Sequence, residues 1–213
     1  MRRARGRVPD DSFKLAAILL AAGRSERMGA FKPLLPWGGS TLLQYELEQL
    51  ASADDITEII VVTGYAADRL TAIVDAAPKT RAAHNADYGA GKAGSVRVGL
   101  AAITSNPGAI LLLAVDQPRP ASLIRSLIEA HRHAHATITL PVHEGRRGHP
   151  LIFDRALLPE LMAIDEASLG VRSVVERHAS AINAVPVTDP MACLDLNTPD
   201  DVERGRRMLP GRS

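Results

Sequence analysis

At 213 residues, with 46% hydrophobic and 23% charged side chains, the chain has the size and composition of one globular domain, which excludes disorder as its working state. A formal charge of +1, with one tryptophan, three tyrosines and three phenylalanines, excludes a general polyanion surface and a base-stacking platform for nucleic acid. The single cysteine, Cys193, excludes an intrachain disulfide and fits a reducing, cytoplasmic setting, and no apolar run is long enough to span a bilayer.

In chain order, residues 1–13 carry Arg2, Arg3, Arg5 and Arg7 and read as a flexible basic tail ahead of one domain over 14–213. A secretion signal is the competing reading. Asp10, Asp11 and Lys14 stand directly before the apolar run, however, and that run is only as long as a strand. Candidate strands are Leu15–Leu20, Glu58–Thr63, Ala109–Val115, Thr137–Val142, Leu151–Phe153 and Ile182–Val187, with Ala82–Asn85 a weaker one. Between them the helical period predicts Leu42–Ala51, Ala66–Ala76, Ser95–Ile103, Ala121–His135, Ala156–Ala163, Val171–His178 and Pro199–Met208. Thr41 is placed to cap the first helix, Ser95 the third, and Thr198-Pro199-Asp200-Asp201 opens the last. Strands alternating with helices predict a three-layer α/β/α, Rossmann-like domain on a mostly parallel sheet, whose ligands gather beyond the carboxyl ends of the strands.

Three groups of residues fall on that edge. Leu20-Ala-Ala-Gly-Arg-Ser-Glu-Arg-Met-Gly-Ala-Phe-Lys32 follows the first strand. Small residues let main-chain N–H groups approach an anion, and Arg24, Arg27 and Lys32 supply the charge that a triphosphate needs. A solvated basic loop is the alternative. The stretch lacks both the Gly-Lys-Ser/Thr of a P-loop and the G-x-G-x-x-G of a dinucleotide site. Asp116 follows the fourth strand and, with Asp195 or Asn197, could offer Mg²⁺ the hard oxygen ligands it prefers; alone it could equally cap a loop before Pro118. Asn85 to Ser95 is a glycine-rich loop feeding a helix N-terminus, and Gly145-Arg-Arg-Gly-His-Pro150 sets Arg146, Arg147 and His149 to meet an anionic acceptor. His131, His133 and His135 read as surface histidines rather than metal ligands.

These motifs resemble the MobA-like nucleotidyltransferases over roughly residues 15 to 204, and within them the molybdenum cofactor cytidylyltransferase branch. The resemblance rests on Leu20-Ala-Ala-Gly-Arg-Ser-x-Arg-Met-Gly-x-x-Lys32, Asn85-x-x-Tyr88 with Gly91 and Ser95, Asp116-Gln-Pro118, Arg147-Gly-His-Pro150 and Asn197-Thr-Pro-Asp200. It implies the nucleotide-diphospho-sugar transferase fold and a Mg²⁺-dependent reaction in which a phosphate of molybdenum-bound molybdopterin attacks the α-phosphate of CTP and releases pyrophosphate. It implies that Leu20, Ala21, Ala22, Gly23, Arg24, Ser25, Arg27 and Lys32 hold the nucleotide together with Asn85, Gly94 and Ser95. Within that set Arg24 and Lys32 take the triphosphate. Asp116 holds the metal, Asn197 stands where relatives place a second metal-contacting residue, and His149, Arg146, Arg147 and Arg172 face the pterin.

Two departures accompany it. Relatives read Asp-Ile-Asp-Thr-Pro where this chain has Asp195-Leu-Asn197-Thr-Pro, so Asp195 is expected to share the metal with the weaker amide. An acidic segment of those relatives is here Ala167-Ser168-Leu-Gly170-Val-Arg172, without its acid. GTP in place of CTP, a sugar or alcohol phosphate as acceptor, and a non-catalytic protein delivering the cofactor to a molybdoenzyme are the alternatives.

Overall fold

The computed structural model describes residues 13–25 and 28–209. The first strand, β1 (Leu15–Leu20), occupies the middle of an eight-stranded sheet. Its residues alternate between two cores: Leu15, Ala17 and Leu19 pack into one cluster and Ile18 into the other. A strand that is apolar on both faces must be covered on both, and this one is. On one face lie α1 (Leu42–Ala51), α2 (Thr71–Ala76), α4 (Ala121–Ala134) and α7 (Pro199–Met208). On the other lie α3 (Lys92–Ala102), α5 (Leu158–Met162) and α6 (Val171–Arg177).

The remaining strands are β2 (Pro36–Trp37), β3 (Ser40–Thr41), β4 (Ile56–Thr63), β5 (Thr80–His84), β6 (Ala109–Ala114), β7 (Ile138–His143), β8 (Arg146–Arg147), β9 (Leu151–Asp154) and β10 (Ile182–Pro186). β2 and β3 form a separate antiparallel pair. The main sheet runs β10-β7-β9-β6-β1-β4-β5, with β8 on β7. β4 and β6 flank β1 in parallel, β5 continues beside β4 and β10 beside β7. β9 is antiparallel to both neighbours, so the β7–β9 hairpin turns at the same edge at which β1 and β6 end.

Local chemistry explains the element boundaries. Thr41 and Gln44 form a capping box at α1, and Thr198 and Asp201 form another at α7 with Pro199 in the first turn. The predicted helix 66–76 starts after Ala66, which takes a left-handed conformation with φ 50°, and divides into a 3₁₀ turn over Ala67–Leu70 and α2. α3 starts at Lys92 behind Gly91, which places Ser95 inside the helix and corrects its expected role as cap. Burial explains the shift. α3 lies so close to the sheet that a Cβ on Gly99 would meet Ile18 at 2.7 Å and Val62 at 2.9 Å, and this contact favours helix over the looser glycine loop.

Two expectations about individual residues change. Phe13, assigned to the tail, packs against the core with its ring centroid 6.0 Å from that of His131, while residues 1–12 lie outside the described residues. His131 is not at the surface. It is 2% exposed on the inner side of α4 and shares a 2.9 Å hydrogen bond between Nδ1 and Thr139 Oγ1, whereas His133 and His135 are exposed.

The largest buried cation is Arg119, fully out of solvent in the loop after β6. Its Nε donates to the His149 carbonyl at 2.8 Å, and its Nη1 donates to the carbonyls of Pro118 at 3.0 Å and Leu194 at 2.8 Å. Three loops are therefore pinned by one guanidinium, whose fork suits several carbonyls at once. Fully buried Glu46 on α1 is its acidic neighbour. Burial pushes its carboxyl well above the usual range, and Arg119 pulls it back.

Burial lowers the His131 pKa to about 4, so the folded state binds fewer protons than the unfolded one near pH 5. Stability is therefore expected to fall as pH drops from about 6.5 to about 4, by about 3 kcal/mol from this residue. Urea unfolding at pH 7.0 and 4.5 should show a smaller acid loss in His131→Asn, and an unchanged loss would refute it. Arg119→Leu orphans three carbonyls and removes the positive charge near buried Glu46, and should cost about 3–5 kcal/mol, with Glu46→Leu in the double variant recovering part of it. Equilibrium unfolding of the two single variants and the double variant checks this.

Candidate active site

The loop after β1 is held at both flanks. Ala21 N–H donates to Val62 O at 2.9 Å, Tyr65 N–H to Ala22 O at 3.0 Å, and Val115 N–H to Leu20 O at 2.9 Å. The turn itself is closed by Ser25 in a left-handed conformation, φ 59°, whose Oγ accepts from Lys32 N–H at 3.1 Å. Arg24 lies over the Tyr88 ring at 5.5 Å, and Arg27 falls outside the described residues.

Lys32 points from this loop to the end of β6. Its Nζ donates to Asp116 Oδ2 at 2.7 Å and to Asn197 Oδ1 at 3.4 Å. A cation is thus already seated between a carboxylate and an amide oxygen, both hard donors of the kind that Mg²⁺ takes. Leu196 N–H donates to Asp116 O at 2.8 Å and keeps the two loops in register. Among the described residues no three His, Cys, Asp or Glu side chains converge as a metal-binding group. Asp195, expected to share that duty, is engaged elsewhere: its Oδ1 accepts from Gln117 Nε2 at 3.0 Å and lies 3.8 Å from Arg119 Nη2.

Lys32 and Asp116 line two adjoining pockets of about 210 and 610 Å³, the smaller shared with Ser95 and the larger with Arg24 and Asn197. Asn85 is buried, and its Nδ2 donates to Ser95 Oγ at 2.9 Å while its Oδ1 accepts from Asp87 N–H at 3.0 Å. Together they fix the Asn85–Gly91 loop against α3. Asn85 and Gly94 line a neighbouring groove of about 880 Å³, which also reaches Arg24.

Across β6 lies a cavity of about 570 Å³ with an apolar floor of Leu112, Leu140 and Leu151 and a rim that includes Arg147, His149 and Arg172. Arg147 lines it and Arg146 does not, because successive residues of β8 face opposite ways. Arg172 reaches the rim from α6, with its Nε 2.7 Å from Glu176 Oε1. Gln117 sets the state of His149. Its Oε1 accepts from Ala114 N–H at 3.1 Å, so its Nε2 is the atom facing His149 Nδ1 at 3.0 Å. Nδ1 must then accept, which leaves the imidazole proton on Nε2. Burial first, and the Arg119 charge second, lower the His149 pKa to about 4. The ring is a neutral donor at pH 7, not the cation that its place in a basic loop suggests.

Sequence reasoning gave no role to Gln117 or Arg119. Both stand in Asp116-Gln-Pro-Arg-Pro120, directly after a buried strand, and a long polar side chain confined between two prolines at that point is the signal that was available. No helix among the described residues is long and apolar enough to cross a membrane.

Comparison with known proteins gives the family. Molybdenum cofactor cytidylyltransferase of Escherichia coli K12 is 29% identical over 185 residues, covering 86% of this chain and 91% of the relative. Nicotine blue oxidoreductase of Paenarthrobacter nicotinovorans is 28% identical over 199 residues, covering 89% and 95%. Molybdenum cofactor guanylyltransferase of Rhizobium johnstonii is 29% identical over 217 residues, covering 93% and 95%. Among solved structures, Rv0371c of Mycobacterium tuberculosis H37Rv superposes with a TM-score of 0.79 at 28% identity, over 92% of this chain and 99% of that one. Its complex with manganese superposes at 0.74 and 26% identity, over 92% and 100%. The MobA-like NTP transferase domain matches residues 17–182, and the chain belongs to that family.

Proposed function

We propose that this protein is a Mg²⁺-dependent nucleotidyltransferase that moves CMP from CTP to the terminal phosphate of molybdenum-bound molybdopterin and releases pyrophosphate. The observation that carries the reading is the Lys32 ammonium seated between Asp116 and Asn197, at the mouth of pockets walled by the loop after β1. Nucleotidyl transfer needs such a cluster, because charge shifts toward pyrophosphate as the bond to the α-phosphorus breaks. Arg24 and Lys32 bind the triphosphate, and the small residues Ala21 to Gly23 let it come close to the main chain. Asp116 and Asn197 hold the metal, which when bound neutralises the triphosphate. The manganese complex of the mycobacterial relative supports a divalent ion in this fold.

On the acceptor side, neutral His149 offers its Nε2–H, and Arg147 and Arg172 offer fixed positive charge to a phosphate. An acceptor phosphate oxygen attacks the α-phosphorus. The bond to the bridging oxygen breaks, and its electron pair leaves with pyrophosphate. The apolar floor of the cavity suits the ring of a heteroaromatic acceptor better than a bare sugar.

GTP is the second reading for the donor, favoured by the equal 29% identity to a guanylyltransferase. The test is a pyrophosphate-release assay with CTP, GTP, ATP and UTP, each with and without molybdenum-loaded molybdopterin. Release dependent on CTP and acceptor is the expected result. Release with GTP alone moves the protein to the other donor, and nucleotide binding without release from any of the four makes it a delivery protein. Lys32→Ala and Asp116→Ala should each lower kcat/KM by about 100-fold or more. Full turnover in both variants would refute the placement of the donor site.

A further inference from the structure

One side chain belongs to both halves of the site. Among the described residues, Lys92 is the only charged residue that lines the two donor pockets of about 210 and 610 Å³ and also the cavity of about 570 Å³ beyond β6. It is the first residue of α3, directly behind Gly91, which holds φ 121°. A cation there works against its own helix, since the N-terminus carries the positive end of the macrodipole. α3 has no acid in its first turn to offset it. Instead Glu166 comes from the loop before α6 and accepts a hydrogen bond from Ala93 N–H. A side chain at Gly91 would collide with Glu166 at 2.3 Å, so the glycine is what lets that carboxylate in.

Lys92 therefore adds nothing to the stability of α3, and the helix relies on a distant residue for the cap. Local choices that oppose the fold concentrate at functional positions. Lys92 is exposed and forms no ion pair with the described residues, unlike Lys32, whose charge is engaged by Asp116. Its charge is also felt at His149 on the acceptor side, where it opposes protonation of the ring.

We propose that Lys92 is a catalytic residue standing at the point of transfer, its ammonium bridging an α-phosphate oxygen of the nucleotide and the attacking oxygen of the acceptor. This rests on the nucleotidyl-transfer reading above. As the acceptor oxygen forms its bond to the α-phosphorus, the bond to the pyrophosphate oxygen breaks and the electron pair leaves with it. No proton moves when the acceptor is a phosphate oxyanion. Lys92 brings two anions together and neutralises the equatorial oxygens that they share in the transition state, whereas the charge of Lys32 is already engaged by Asp116.

The test compares Lys92→Gln and Lys92→Arg with the natural protein. CTP affinity is read by equilibrium binding, kcat by pyrophosphate release at saturating CTP and molybdenum-loaded molybdopterin, and folding by thermal midpoint. Lys92→Gln should leave the midpoint unchanged or raised, hold the CTP Kd within about threefold and lower kcat about 100-fold. Lys92→Arg should recover kcat to within about tenfold, since it restores the charge. Turnover by the natural protein with kcat preserved in Lys92→Gln overturns the assignment while the transfer reading stands. A loss confined to CTP affinity likewise overturns it and leaves Lys92 as a nucleotide ligand only. If the natural protein binds CTP and releases no pyrophosphate, the transfer reading fails and Lys92 falls with it.

Discussion

A guanidinium without access to water holds the working edge of this sheet together. Arg119 spends its donors on the carbonyls of Pro118, His149 and Leu194, which belong to the three loops that carry Asp116, His149 and Asn197. The last of these loops also buries Met191, Ala192, Leu194 and Leu196 in the core, and each of the three presents a main-chain carbonyl that would be orphaned if it moved. Gln117 extends the same arrangement outward: its amide is oriented by Ala114 and in turn faces His149 and Asp195. The carboxyl of Glu46 is buried nearby, and burial pushes its pKa up against the pull of Arg119.

With the frame fixed, the chemistry divides by element. β1 and β6 end side by side, so Lys32 and Asp116 can meet although they are 84 positions apart in the chain. The β7–β9 hairpin reaches the same edge because β9 runs against its neighbours. α3 lies over β1 and β4, close enough for the methyls of Ile18 and Val62 to fill the space that a side chain on Gly99 would need. Its first turn is thereby delivered to the seam between the pockets beside Lys32 and the cavity rimmed by His149.

Much of this was legible beforehand, for reasons that differ by residue. β1, α1 and α7 begin and end where their apolar runs and capping residues say they should, because the signals are local. The cluster of Lys32, Asp116 and Asn197 was legible as three motifs, since strand ends in a parallel sheet share one edge. The start of α3 was not, because glycine propensity argues for loop and only contact with the sheet argues for helix. The burial of His131 was hidden for a similar reason: spacing by two marks opposite helix faces without saying which face is covered. That Asp195 faces Gln117 and Arg119 was hidden as well, because no local pattern announces the burial of Arg119.

The reversed strand has a consequence for how such a protein can change. In the proposed reaction the groups that meet the acceptor lie on the β7–β9 hairpin and the segment around α6, appended to a parallel core that already carries the loop after β1. Rewriting residues 143–150 and 163–172 leaves the pairing of β1 with β4 and β6 untouched. These two segments can therefore change as a modular graft without touching the central strands, provided that the graft still presents a carbonyl to Arg119 and a ring nitrogen to Gln117.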